Sequence, residues 1–344
     1  MGNAERRYIP LFMLLLVVLV LFFLLDISLG PLKIPIAEVF RSLTGQTVSK
    51  DAWKFIILDY RLPKAITATL VGMGLSVSGL LMQTLFRNPL AGPDVLGLSS
   101  GSGLGVAFVI MGAGLLPGVA GLFLLSSYGL ILASCLGSFL VLLTLLMVAG
   151  KLRDTSATLI VGLMFGSFSS AVVGVLTYFS TAEQLQKYTF WALGNLGNLS
   201  RTSITVLATA VCVGLILAVA SIKSLNAMLL GENYARSLGQ DLRKSRLLVI
   251  LSTSILAGSI TAFAGPIAFI GLAVPHIAKM VFQTSEHRIL FWATLLSGGL
   301  IMLLCDMLCQ FPGSETLLPI NAITSIIGAP VVVWLVIRKR KILN

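Results

Sequence analysis

Charged residues are scarce in this 344-residue chain, where Asp, Glu, Lys and Arg together make up 11% of the sequence. Hydrophobic residues make up 57%, and the mean hydropathy is +0.99. An ordinary soluble domain has about 25% charged residues. The composition therefore excludes a soluble globular protein and predicts an all-α protein that crosses a membrane many times.

Residues that carry chemistry are also few. There are two histidines, four cysteines and no G-x-x-x-x-G-K-[ST] phosphate loop. The cysteines lie in apolar runs, and Cys305 and Cys309 are one helical turn apart, too far for a disulfide. We interpret His276, after Pro275, as a structural cap rather than a gate or metal ligand, and His287 as a solvated loop residue. We predict no catalytic residue, metal site or cofactor, so any ATPase must be a separate polypeptide. A polytopic membrane enzyme is disfavoured for the same reason.

About ten apolar runs are long enough to be membrane spans. They are Ile9–Leu25, Ala65–Phe86, Val95–Met111, Leu122–Val148, Ser156–Phe179, Ile204–Ile222, Leu247–Ala264, Pro266–Phe282, Ile289–Gln310 and Ile320–Ile337. The first run follows Arg6 and Arg7 and has no small-residue cleavage site, so we expect a retained helix rather than a signal peptide. We see no domain boundary and treat residues 1–344 as one transmembrane domain.

The net charge of +11 has a topological explanation. The cations flank apolar runs instead of forming a stripe with aromatic residues, which argues against a nucleic-acid partner and for contact with lipid. With both termini in the cytoplasm, about two-thirds of the Lys and Arg residues fall on the inner side, as the positive-inside rule requires. This orientation makes residues 26–60 an external segment and predicts a multi-pass protein of the cell membrane.

Residues 223–246 form the longest mainly polar interruption between two spans, and their five cations predict a cytoplasmic loop. Within it, Gly231 to Gly239 has the pattern of a short helix. Glu232 lies in its first turn, Arg236 follows four residues later, and Gly239 ends it. A folded helix in such a loop predicts a contact with another protein.

This loop resembles the coupling-helix loop of the FecCD-type permeases, the membrane subunits of ABC importers for iron-siderophores, haem and cobalamin. From about residue 61 to the C-terminus further segments resemble the family in its order: Arg61–Lys64, Ser78–Gln83, Arg87–Ala91, Pro93–Gly97, Gly265–His276 and Ile327–Pro330. The resemblance implies a type II ABC importer permease of ten helices. It also implies a dimer with a second permease subunit, identical or paralogous, with two ATP-binding subunits beneath it and an extracellular substrate-binding protein above it.

The resemblance also implies roles for particular residues. Contact with the ATPase is assigned to the short helix and its two glycines: Gly231, Glu232, Tyr234, Ala235, Arg236, Leu238 and Gly239. Arg61 and Lys64 are implied as cations that receive acidic residues of the binding protein, although they could instead be interfacial anchors that snorkel to the headgroups. A third family arginine falls on Gln310, which departs from the pattern and implies a weaker or differently arranged contact.

Small residues four apart mark two helices. Gly97, Gly101 and Gly105 form one stripe, and the fifth span carries Gly162, Gly166, Ser170 and Gly174. Either stripe fits ordinary helix packing. A wall poor in side chains would also let a bulky solute pass, and the resemblance implies this translocation path for Gly162, Gly166, Ser170 and Gly174.

The cargo is not identified by any residue of the path. Iron-siderophore is the first expectation, because it is the commonest cargo in the family, and haem or cobalamin is the alternative. An ion-coupled secondary transporter is the alternative from another class. Asp306 would be its coupling residue, because it is the only carboxylate that the predicted spans place well inside a helix.

Overall fold

The computed structural model describes residues 7–30, 32, 34–112, 126–152, 155–197, 199–310 and 317–340. Every regular element within these ranges is helical, which confirms the all-α prediction. The α-helices are α1 (Ile9–Ser28), α2 (Ile36–Leu43), α3 (Asp51–Phe55), α4 (Leu62–Leu85), α5 (Leu98–Gly112), α6 (Ser127–Leu152), α7 (Thr155–Tyr178), α8 (Ala182–Ala192), α9 (Arg201–Leu229), α10 (Glu232–Ser237), α11 (Leu242–Ala264), α12 (Ile270–Phe282), α13 (His287–Cys309) and α14 (Ile320–Arg340).

Each of the ten predicted spans coincides with one of these helices. Among the described residues, seven helices are long and apolar enough to cross a membrane, while α5, α12 and the apolar part of α14 are shorter. The predicted span Pro266–Phe282 is wrong at its start, because Gly265 and Phe269 have φ angles of +76° and +67° and α12 begins only at Ile270. Residues 122–125 of the fourth predicted span lie outside the described residues.

The core forms around α4, which packs against α9, α11, α12 and α13. In lipid, helices gain little from apolar burial and approach one another through small residues. Gly72 faces the backbone of Gly298 on α13, and Gly79 faces the backbone of Gly271 on α12, so closely that a Cβ at Gly72 or Gly79 would overlap a carbonyl oxygen. By contrast, α1 and α7 expose most of their surface in the single chain.

The helix ends define two ends of the molecule. The outer end is the one where α1 ends, α4 begins and α13 ends, and the inner end is the opposite one, which carries α10. Both names follow the predicted orientation in the membrane, which stays a prediction.

At the outer end the predicted external segment 26–60 is more helical than expected. Helix α1 continues to Ser28 and buries Asp26 in its last turn. Asp306 also lies in the last turn of its helix, α13, so the prediction that Asp306 alone lies well inside a helix is wrong. Helix α3 continues through a π-helical segment, Ile56–Arg61, into α4. This wider turn keeps Ile57 and Arg61 on the buried side of the helix.

The predicted cytoplasmic loop 223–246 is shorter than expected at both sides. Helix α9 continues to Leu229 and α11 begins at Leu242, so that α10 lies in the connection between them.

Candidate functional site

Helix α10 confirms the short helix predicted between Gly231 and Gly239. Gly231 and Gly239 have φ angles of +116° and +74°, a region in which glycine is far less strained than other residues. The backbone N–H of Gly239 donates to the carbonyl of Arg236 at 2.9 Å and closes the helix. The two glycines therefore define where the helix begins and ends.

One side chain of α10, Ala235, is fully buried. It packs in a small apolar cluster with Ala227, Met228 and Leu242, against which Leu85 of α4 also lies. The side chains of Tyr234, Arg236 and Leu238 point to the surface, with Leu238 57% exposed. An exposed aromatic, an exposed aliphatic and a cation on one small fixed helix form a surface suited to a protein partner.

Two polar contacts fix the surroundings of α10. The Asp241 Oδ1 atom accepts from the backbone N–H groups of Lys244 (3.2 Å) and Arg243 (3.0 Å) and so caps α11. These hydrogen bonds, first that from Lys244, hold the pKa of the Asp241 carboxyl below its usual range. Arg87, in the turn after α4, donates from Nη2 to the carbonyl of Met228 at 3.2 Å.

At the outer end, Arg61 is 8% exposed. Its guanidinium donates to the backbone carbonyls of Ile27 (2.9 Å), Ser28 (2.7 Å) and Leu32, where α1 ends. Gly30 leaves room for it, since a Cβ there would lie 2.8 Å from Arg61 Nη2. Arg61 therefore satisfies the carbonyl groups at the end of α1, and the interpretation as a cation that snorkels to the headgroups is wrong.

Lys64, one turn further along α4, forms a salt bridge of 3.0 Å with Asp306 of α13. Gln310 is buried as well, and its Nε2 atom donates to Asp306 Oδ2 (3.1 Å) and Asp26 Oδ1 (3.2 Å). We call Asp26, Arg61, Lys64, Asp306 and Gln310 the outer charge cluster. It joins α1, α4 and α13.

The outer charge cluster bears on two sequence predictions. A cavity of about 250 Å³ leads to Lys64 and Asp306, between the segment after α8 and the start of α14. Lys64 keeps 15% of its side chain exposed there, whereas Arg61 and Gln310 are buried and engaged within the chain. Binding-protein docking through Arg61, Lys64 and Gln310 stays a prediction, with Lys64 as its accessible member. Asp306 has Lys64 as its counter-ion, which supports a structural role rather than ion coupling.

Three of the four residues predicted to line the translocation path meet in one cavity. Gly162, Gly166 and Ser170 of α7 line a space of about 540 Å³ together with Asp94 and Ser100. Gly174 is not among its lining residues and has open space around it. The path assignment itself stays a prediction.

The glycines of this region have different roles. A Cβ at Gly162 would lie 2.9 Å from the Cα of Leu96, so Gly162 allows α7 to pack on the chain before α5. At Gly166 a Cβ would meet only the Ser100 hydroxyl, at 3.5 Å. Gly101 and Gly105 face the backbone of α6, as expected of helix packing.

Two polar residues, the half-buried Asp94 and the buried His287, have partners that sequence reasoning did not find. Asp94 follows Pro93 in the turn between α4 and α5. It accepts a hydrogen bond from Ser99 and one of 3.2 Å from the backbone N–H of Phe269, the residue with positive φ before α12. His287 is 2% exposed, so the interpretation as a solvated residue is wrong. The predicted cap, His276, is half-buried after Pro275 inside α12.

Comparison with known proteins gives one family. The model of the FecCD transport family matches residues 17–338. The hemin transport system permease protein HmuU of Yersinia pestis is 34% identical over 342 residues, which are 99% of this chain and 98% of the relative. The vitamin B12 import system permease protein BtuC of Klebsiella pneumoniae is 35% identical over 339 residues, 98% of this chain and 95% of the relative.

Solved structures agree with this result. A chain assigned to the metal-chelate type of ABC transporters, in an inward-facing conformation, superposes with a TM-score of 0.80 at 28% identity. The match covers 96% of this chain and 100% of that one. PsaBC from Streptococcus pneumoniae, in complex with Fab, has a TM-score of 0.52 at 14% identity over 86% of this chain and 94% of that one, a likeness of fold alone.

Proposed function

Because this chain belongs to the FecCD transport family, it is an ABC importer permease, and we propose that its cargo is a bulky metal chelate. An iron-siderophore complex is the first candidate, and haem or cobalamin is the alternative. As a permease the chain is not itself catalytic, and ATP is hydrolysed on a separate subunit.

The observation that carries the cargo class is the cavity lined by Gly162, Gly166, Ser170, Ser100 and Asp94. Its volume of about 540 Å³ in one chain suits a large solute. Glycines, hydroxyls and two aliphatic side chains make up most of its wall, and the Asp94 carboxylate already accepts hydrogen bonds from Ser99 and from the backbone N–H of Phe269. A bare transition-metal ion would need a fixed set of ligands, and the described residues contain no group of three or more His, Cys, Asp or Glu that could hold one. The wall therefore fits a metal that arrives already enclosed in a chelator.

The exposed face of α7 supports a pore made by two permease chains. Ile160 and Leu163 of α7 are both more than half exposed in the single chain, and Leu163 also lines the cavity. A second copy or a paralogue placed against this face would cover the apolar side chains and close the path. This arrangement leaves α10 at the inner end for the ATPase and the cavity above Lys64 at the outer end for an acidic side chain of the binding protein.

Uptake into proteoliposomes tests the cargo. The permease is reconstituted with its ATPase, the binding protein is added outside, and ATP-dependent entry of a radiolabelled iron-siderophore is measured against haem, cobalamin and free iron. We expect uptake of the iron-siderophore and none of free iron. Uptake of haem or cobalamin but not of the iron-siderophore would make haem or cobalamin the cargo. ATP-dependent uptake of free iron would contradict the proposal that the cargo is a metal chelate.

A substitution in the wall tests the path. Gly166→Leu places an isobutyl group in the cavity without a backbone clash, and we expect uptake to fall at least about tenfold, as a misfit of a few methylenes costs in a binding site. Gly112→Leu is the matched control, because Gly112 also has open space around it and does not line this cavity. Equal uptake by the two variants would contradict the assignment of this wall.

A further inference from the structure

His287, the first residue of α13, is held by three hydrogen bonds at the inner end. Its backbone N–H donates to Asn226 Oδ1 at 2.9 Å, its ring Nδ1 lies 2.9 Å from the same oxygen, and its ring Nε2 lies 2.8 Å from Thr84 Oγ1. Asn226 belongs to α9 and Thr84 to α4. One imidazole therefore joins three helices.

The hydrogen bonds assign the direction of each contact. The atom of Asn226 that accepts the backbone N–H must be its oxygen, so Nδ1 facing that oxygen must carry hydrogen and donate. In the neutral ring Nε2 then accepts from the Thr84 hydroxyl. That hydroxyl also lies 2.9 Å from the carbonyl of Leu80, and its single hydrogen cannot serve both acceptors. Thr84 can thus exchange a bond within its own helix for one to His287.

The imidazole lies beside the base of α10. Asn226 is three residues before the end of α9, and α10 follows directly after that end. Ala235 of α10 packs in the same apolar cluster as Met228, whose carbonyl accepts from Arg87. A displacement of α10 therefore moves the end of α9 to which His287 is bonded.

The other two helices held by His287, α4 and α13, pack closely against each other. Gly72 of α4 and Gly298 of α13 bring the two backbones into direct contact, and Lys64 and Asp306 join the same helices at the outer end. A displacement of Thr84 and His287 at the inner end would therefore move α4 and α13 together along their length. The ring is a polar link between the pair and α9, the helix that precedes α10, and Arg87 adds a second one from the turn after α4 to Met228.

We propose that His287 is a positioning residue that transmits movement of α10 to the α4 and α13 pair, and so couples ATP hydrolysis to reorientation of the helices. The proposal rests on the proposed function, in which α10 contacts the ATPase. His287 is buried and does not line the cavity assigned to the cargo. Its bonds keep the end of α9 in register with Thr84 while α10 moves.

The test measures the number of cargo molecules taken up per ATP hydrolysed, in proteoliposomes that hold the full permease, its ATPase and its binding protein. For His287→Ala we expect this ratio to fall at least about fivefold, the lower range of coupling between sites. The affinity of the ATPase for the permease should not change, because the surface of α10 is intact. A residue with a merely structural role would lower uptake and stimulated hydrolysis together and leave the ratio unchanged.

A second pair of variants decides the question if His287→Ala does not fold. Thr84→Val removes the hydroxyl at nearly constant volume and should lower the ratio, while Thr84→Ser keeps the hydroxyl and should restore it. Wild-type ratios in His287→Ala or Thr84→Val, or a Thr84→Ser variant as poor as Thr84→Val, would overturn the inference while leaving the proposed function intact. Absence of ATP-dependent uptake in the wild type would instead refute the proposed function, and the inference would fall with it.

Discussion

The two ends of α4 and α13 are held by different chemistry. At the outer end Lys64, Asp306, Asp26 and Gln310 form a buried cluster with formal charges. At the inner end the same helices meet through Thr84 and the His287 imidazole, with an apolar cluster around Ala235 nearby. Removing one partner of a buried ion pair costs about 3–5 kcal/mol, whereas a neutral hydrogen bond contributes about 0.5–1.5 kcal/mol. The inner end is therefore the one that rearranges at lower cost.

This difference assigns separate tasks to the two ends. In the proposed function, movement driven by an ATPase would enter at the inner end, where the contacts are neutral and can be exchanged, as at Thr84. At the outer end, separating Lys64 from Asp306 would leave a buried charge without a partner unless another charge took the place of the one removed. An acidic side chain brought by a binding protein into the cavity above Lys64 would supply such a charge.

The largest effect is expected from removing a charge of the outer charge cluster. Lys64→Met leaves Asp306 and Asp26 buried without the lysine, and we expect the free energy of unfolding in detergent to fall by about 3–5 kcal/mol. Lys187→Met is the matched control, because the Lys187 salt bridge with Glu183 is exposed and should contribute at most about 1 kcal/mol.

Removing the partner charge should reverse much of this loss. In Lys64→Met with Asp306→Asn, the carboxylate that lost its cation is gone, so we expect the double variant to be more stable than Lys64→Met alone. Equal stability of the Lys64→Met and Lys187→Met variants would show that the two ends do not differ in the way described.

An intermediate effect is expected at the surface of the inner end. Arg236→Glu reverses an exposed charge on α10, and like-charge contact across a protein interface costs several kcal/mol. We expect affinity for the ATPase to fall at least about tenfold, measured by titration of purified subunits, with the stability of the permease unchanged. Normal affinity together with normal ATP-dependent uptake would remove α10 from the ATPase contact.

The smallest effect concerns the cap of α11. Because the pKa of Asp241 is held below its usual range, its contribution is complete above about pH 4, its unfolded value, and is lost as the pH falls through the lower folded value. Asp241→Ala should reduce hydrogen-exchange protection of the first turn of α11 about fivefold at neutral pH. Asp241→Asn should keep the cap and lose its pH dependence. A cap that strengthens on acidification would contradict this sign.

The sequence was sufficient for features with a local cause. All ten predicted spans coincide with helices, because each follows from a continuous apolar run. The short helix at Glu232–Ser237 was predicted because its glycines and charges lie within nine residues of one another. The FecCD family was identified for a similar reason, since its motifs are short and occur in order.

Residues whose role depends on distant partners could not be interpreted in this way. His287 follows Thr284, Ser285 and Glu286, a polar stretch typical of a solvated loop, and its partners Thr84 and Asn226 are 203 and 61 residues away. Asp26 follows an apolar run and was therefore predicted to begin an external segment. Its hydrogen-bond partner Gln310 is 284 residues away, so no local pattern indicated that Asp26 is buried. Arg61 carries no local signal that it would reach the end of α1.

The π-helical segment Ile56–Arg61 sets the direction in which α3 faces relative to α4. A turn of this kind holds one residue more than an α-helical turn, and each residue of an α-helix accounts for about 100° of rotation. Deleting one residue from this segment would rotate α3 by about 100°, roughly a quarter turn, about the helix axis relative to α4. Trp53 and Ile57 would then leave the apolar core against which they lie. The contacts of α3 with the core thus depend on the one additional residue in the π-helical turn.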